Sequence, residues 1–234
     1  MTRRTTFIEH HALACFLPHL KSYFLKGLQE VKPNGGQFKA TGKEFYAANV
    51  FERVGELDNA VKSLRLAMCF VMDMKNTHED APEVYRYHYE NFLLRLTGLG
   101  DRAHRLVGAS LLLSPSKLKK IGANEFVAKS IASEYPELLE CLKKLATVAS
   151  KHKTSRNEIA HSAAFSTREL GLFSAVVSLN LEVGDNTQIN ELMNSYFSEG
   201  GVELALLVAE MVKGIEELLD ALVPIHEQLL DGNS

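Results

Sequence analysis

Four stretches of the chain place apolar residues at alternating steps of three and four, the spacing that lines one stripe of an α-helix. Val50, Val54, Leu57, Val61, Leu64, Met68 and Val71 form the first. Phe92, Leu96, Leu99, Ala103 and Leu106 form the second, and Leu138, Leu142, Leu145 and Ala149 the third. The fourth and longest runs through Leu204, Val208, Met211, Ile215, Leu218, Leu222, Ile225 and Leu229. A weaker series, Leu13, Leu17, Leu20, Phe24 and Leu28, predicts a further helix near the N-terminus, bent at Pro18.

Polar and glycine- or proline-bearing stretches separate these series. They are "KPNGGQ" (32–37), "NTHEDAPE" (76–83), "LSPSKLKKIG" (113–122) and "VGDNTQ" (183–188). "SEYPELLE" opens a helix, with Ser133 as a candidate cap and Pro136 near its first turn. The stretch 172–183, "LFSAVVSLNLEV", is ambiguous: its β-branched residues and partial alternation suit a short strand, yet no partner strand is apparent, which favours helix. Long helices with short connections predict an all-α antiparallel bundle of four to five main helices plus short ones, folded as one domain over 1–234. Pro224 should kink or weaken the last turns of the final helix.

Composition narrows the function without choosing it. The chain has 234 residues, 46% hydrophobic and 24% charged, enough to bury a full core. A net charge of −3 and a pI near 6.3 give no global attraction to nucleic acid or anionic membrane, so any such contact needs a local basic patch. Cys15, Cys69 and Cys141 are far apart in apolar surroundings and read as reduced core residues. Glu9, His10 and His11 interrupt any signal-peptide core, and no run of about 18 apolar residues occurs. A cytoplasmic protein without membrane spans is expected.

One stretch carries chemistry. In "KTSRNEIAHSA" the third apolar seam, extended past Ala149, passes through His152 and Arg156. An arginine in the phase of an apolar seam either snorkels out at the wet end of a bundle or faces an anion. Asn157 and His161 are four apart and share a helix face, whereas Arg156 and His161 diverge by about 140° on one regular helix. They converge only at a helix start or kink, or where two copies pool their residues. That pairing would form a composite site in a homodimer. Together the three suit cleavage of RNA. A neutral imidazole can take the proton of a 2′-hydroxyl, a guanidinium can hold the phosphate, and the amide can orient either. No metal is needed, because the nucleophile belongs to the substrate. Lys151, His152, Lys153 and Ser155 form a local basic patch suited to an RNA backbone, although cations at a helix C-terminus are also favoured by the dipole.

An arginine, then Asn, Asp or His, then a spacer and a histidine is the signature of the HEPN superfamily, which Arg156-Asn157-Glu158-Ile159-Ala160-His161 resembles with four residues between Arg156 and His161. The all-α pattern resembles that superfamily over most of the chain. Upstream, "YRYHYENFLLRLTGLGDRAHRLV" (85–107) resembles the aromatic-rich, Arg- and Asp-containing helix of some of its members. The resemblance implies a metal-independent endoribonuclease, dimeric with facing motifs, acting in RNA processing, toxin–antitoxin pairs or antiviral defence. It implies catalytic roles for Arg156 and His161, a supporting role for Asn157, and an antitoxin or other protein as a possible partner. Some members are non-catalytic, so a helical module binding RNA or a protein partner is the alternative. Some toxin members carry a tyrosine two residues after the histidine; here Ala163 stands there, which does not support silencing by modification of such a tyrosine.

The remaining candidates are weaker. Glu158 and His161 form a Glu-x-x-His pair, but a di-metal bundle needs a second pair and none is found. His10 and His11 are adjacent and would point to different helix faces, poor geometry for joint ligands. Tyr85, Tyr87 and Tyr89 fan around a helix and suit packing better than base stacking. No phosphate-cradling glycine loop, nucleophile elbow or zinc spacing occurs, so neither cofactor nor metal is expected.

Overall fold

The computed structural model describes residues 6–30, 36–74, 80–151, 157, 159, 164–181 and 186–232. Among them the chain is all-helical, with eight α-helices and no strand. In chain order these are α1 (Leu17–Gln29), α2 (Gly42–Met72), α3 (Ala81–Ser110), α4 (Pro115–Leu118), α5 (Ala123–Ile131), α6 (Pro136–Ser150), α7 (Arg168–Ser178) and α8 (Asn186–Asp231). Two short 3-10 turns, Phe7–Glu9 and His11–Phe16, precede α1. Of the ambiguous stretch 172–183, residues 172–178 are helical as part of α7, 179–181 are not, and 182–183 lie outside the described residues. The Thr167 side chain caps the first turn of α7 by accepting from Leu170 N–H. Pro18 does not bend a helix; it sits in the first turn of α1, where its missing N–H is harmless. The last helix starts well before its apolar series and continues past Pro224 to Asp231.

The four strong series are buried almost throughout, with Val50, Val54, Leu57 and Leu64, then Phe92, Leu96 and Ala103, at zero exposure. The weak N-terminal series is not. Leu13 and Leu20 are buried, but Leu17, Phe24 and Leu28 are exposed, so α1 buries only part of its apolar stripe.

The chain divides into two compact units. Unit 1 comprises 1–59, 100–145 and 213–234. In it α2 begins with a capping box: Glu44 N–H donates to Thr41 Oγ1 at 3.2 Å, and Thr41 N–H donates to Glu44 Oε2 at 2.8 Å. Hydrogen bonds from Lys26, first, and then from Ser22 and the Thr41 backbone hold the Glu44 carboxyl down to about 2. Further along α2, buried Asp58 accepts from the backbone of Phe7 at 2.9 Å and Ile8 at 3.0 Å. That carboxylate satisfies two donors at the start of a 3-10 turn that has no partners of its own. Asp58→Ala should therefore destabilise the fold by about 2–3 kcal/mol, read as a lowered urea midpoint.

Unit 2 comprises 60–99 and 146–212. Its core is aromatic: Tyr85 stacks on Phe197 at 4.8 Å and lies 5.6 Å from Tyr89. Gly200, one turn after Phe197 on α8, allows this packing. A Cβ there would meet Tyr85 Oη at 2.0 Å and Cζ at 3.0 Å. Tyr85 is fully enclosed and its ring is rigid, so the strain cannot be relieved by a rotamer change. Gly200→Ala should cost about 3 kcal/mol by urea denaturation. Tyr85→Phe in that background should recover part of the loss, because the closest clash is with the phenolic oxygen.

Candidate functional site

Most of the motif identified in the sequence lies outside the described residues, as do Arg156, His161, His152, Lys153 and Ser155. Two members of the set are described. Asn157 lies in helical backbone and is exposed. Lys151, just after the end of α6, is exposed and donates to Glu210 Oε2 of α8 at 2.7 Å. Its charge is thus shared with a carboxylate at the surface.

Beyond the motif, the described residues from 164 onward pack within unit 2 as far as its last residue, 212. The Phe165 ring stacks on Tyr89 at 4.5 Å, and Phe165 N–H donates to Glu90 Oε1. Thr167 Oγ1 lies 2.8 Å from Tyr196 Oη. Tyr89 Oη in turn donates to Glu203 Oε2 at 2.9 Å, and burial, then the nearby Glu203 charge, pushes its phenol well above the ordinary range. Helix α3 therefore supplies the support on which Phe165 rests. Tyr85 and Tyr89 are buried packing residues, and Tyr87 is exposed.

Two polar groups on that helix are only partly satisfied. Arg86 Nη2 donates to Ser174 Oγ of α7 at 3.0 Å, while its buried Nε makes no hydrogen bond to any described residue. His88 stacks on Phe70 at 4.4 Å; its Nδ1 is buried without a partner among the described residues, and burial lowers its pKa.

Unit 1 holds two arrangements that involve histidine. His10 has extended backbone between the two 3-10 turns, so the expectation that His10 and His11 diverge on a helix does not hold. Their rings lie 4.5 Å apart, and their Nε2 atoms approach Asp220 Oδ1 at 3.5 and 3.4 Å. The three form a cluster with metal-ligand spacing. The donor chemistry argues against a metal, however. His10 Nδ1 accepts from Ala12 N–H at 3.3 Å, which leaves its proton on Nε2, the atom a metal would need.

The second arrangement is deeply buried. His226 Nδ1 lies 3.3 Å from Ala12 O and its Nε2 lies 2.9 Å from Ser110 Oγ. A carbonyl can only accept, so Nδ1 carries the proton and Nε2 accepts from the serine hydroxyl. Tyr46 Oη donates to Ser110 O at 2.8 Å and completes the network. Ser110 and His226 both have zero exposure, so the pair is structural and is closed to any substrate. His226 was legible in principle, since it follows Leu222 by four residues and Ile225 by one in the apolar phase of the last helix. Asn49, Arg105 and Lys119, which line a cavity in unit 1, had no such signal, because they come from three separate elements.

No protein-family model matches the chain, and neither a curated protein nor a solved structure is found to be similar to it. No helix among the described residues is long and apolar enough to cross a membrane.

Proposed function

We propose that this chain is a HEPN-type endoribonuclease that cleaves RNA by attack of the substrate's own 2′-hydroxyl, without a metal. The observation that carries this reading is the Arg156-Asn157-x3-His161 motif within an all-helical chain, with its central Asn157 exposed to solvent on helical backbone. His161 acts as the general acid/base, Arg156 binds the phosphate and the charge that develops on it, and Asn157 orients them. The five-residue offset of Arg156 and His161 favours a composite site between two copies, so a homodimer is part of the proposal.

A second reading, a non-catalytic module binding RNA or a protein partner, is favoured by one observation. The Lys151–Glu210 pair reduces the basic patch that would attract an RNA backbone. The deciding experiment is incubation of total RNA with the purified chain in EDTA, beside His161→Ala and Arg156→Ala. Cleavage by wild type alone supports the nuclease. Absence of cleavage in all three, or equal cleavage in all three, leaves the binding module.

A further inference from the structure

A cavity of about 340 Å³ opens within unit 1 among the first turns of α2, the C-terminus of α3, and α4. This is the size range of small-molecule sites, which combine apolar walls with a few polar groups. Phe45, Ala109, Leu113, Pro115 and Leu118 supply apolar wall.

The polar groups have an unusual balance. No acidic residue lines the cavity among the described residues. Arg53 is occupied by Glu56 at 2.6 Å, with Glu52 at 3.4 Å. Arg105 and Lys119 are exposed and have no carboxylate partner among the described residues. Asn49 is half-buried, and its amide makes no hydrogen bond to any described residue. Tyr46 also lines the cavity, but its hydroxyl is already used on Ser110 O. Two free cations and one free amide therefore line a cavity whose other polar side chains, Arg53 and Tyr46, already have partners.

The end of α3 adds an independent observation. Leu113 N–H donates to Gly108 O at 2.8 Å and Leu112 N–H to Ala109 O at 3.1 Å, the two bonds of a Schellman ending. The position that must be left-handed is Leu112, with φ 53°, where glycine would sit without strain. Leu112 is 60% exposed, so core packing does not explain a leucine there, but it lines the cavity. A side chain that strains the backbone and fills no core is the kind of outlier that points to a ligand contact.

We propose that this cavity binds an amphiphilic anion, a medium-chain alkyl carboxylate, independently of the RNA site. Its chain lies along Phe45, Leu112 and Leu118, and its carboxylate is held by Arg105 and Lys119 with Asn49 as an added donor. A nucleotide fits the charge but not the wall, because its base and sugar would leave several polar atoms facing apolar carbon.

Binding is tested by calorimetric titration with decanoate below its micelle concentration, with decan-1-ol and adenosine monophosphate as comparators. Decanoate should bind saturably and about tenfold more tightly than decanol, because only the acid engages the cations. The double variant Arg105→Gln/Lys119→Gln, both exposed positions, should lose about tenfold for decanoate and leave decanol unchanged. Leu112→Gly should raise the Tm and yet weaken both ligands, a combination that a purely structural role for Leu112 does not produce. The proposal is overturned if decanoate fails to saturate wild type, if the double variant binds it as well as wild type does, or if the nucleotide binds more tightly. Unchanged affinity in Leu112→Gly would also overturn it.

Discussion

His161→Ala should cut RNA about 10²–10⁴-fold more slowly than wild type, the range set by removal of a general acid/base from a proton-transfer step. Arg156→Ala should lose about 10²–10³-fold, as expected when a preorganised donor to a developing phosphate charge is removed. The double variant should be scarcely slower than the worse single one, because the two residues act on the same transition state. Asn157→Ala should lose less than either, since an orienting amide acts through its neighbours. These rates are read from single-turnover cleavage of a labelled RNA in EDTA, with circular dichroism confirming an unchanged helix content. Mixing the two inactive single variants adds a separate check on the dimer. If each site draws Arg156 from one copy and His161 from the other, mixed dimers regain one intact site and part of the activity. A variant set that cuts RNA at wild-type rate would remove the motif from the chemistry.

The second large effect is acid destabilisation through His226. Burial lowers its pKa from 6.5 to about 4, while the hydrogen bond with Ala12 O acts in the opposite direction and is outweighed. A histidine whose folded pKa is depressed favours the folded state fully above pH 6.5, and that contribution is lost as pH falls through 4. The unfolded chain takes up the proton first, so the native state pays for keeping the imidazole neutral. The gap corresponds to about 3 kcal/mol between pH 7 and pH 4. Urea unfolding of wild type should show that loss beyond what the carboxylates contribute. His226→Gln isolates it. Glutamine can still donate to Ala12 O and accept from Ser110 Oγ, but it does not titrate. The variant should be less stable at pH 7, where the ring's packing against Phe16 at 4.8 Å is lost, and flatter in its pH dependence. Parallel pH profiles for the two proteins would exclude His226 as the acid-sensitive group.

The polar network around His226 and the aromatic core around Tyr85 stabilise different units by different physics. In unit 1, His226 and the Ser110 hydroxyl are matched to each other, and His226 and Tyr46 to the backbone carbonyls of Ala12 and Ser110, so these buried polar groups have partners. In unit 2, ring stacking around Tyr85 depends on a bare helix surface at Gly200. The sequence segment after the motif joins the second arrangement through Phe165, and Tyr196 continues it. Changes in that aromatic cluster should therefore disturb the chain beside the motif without touching Arg156 or His161.

Helix periodicity is a local property, and here it is sufficient to establish the all-helical class and the buried face of α2, α3, α6 and α8. Pro18 lies between residues of the weak apolar series and reads on spacing as a bend, whereas the structure starts α1 there, and the Thr41–Glu44 capping box emerged only with the fold. Periodicity could not decide how much of the α1 stripe is covered, because burial depends on which neighbour arrives. Nor could it foresee that His10 leaves the helical path and brings its ring beside His11. Tertiary structure alone decided which distant residues share a space: Asp58 under the N-terminal turn, Glu90 under Phe165, and Arg105 with Lys119 and Asn49 around one cavity. Such groupings are set by the packing of helices far apart in the chain, and the short-range pattern of apolar and polar residues carries no record of them.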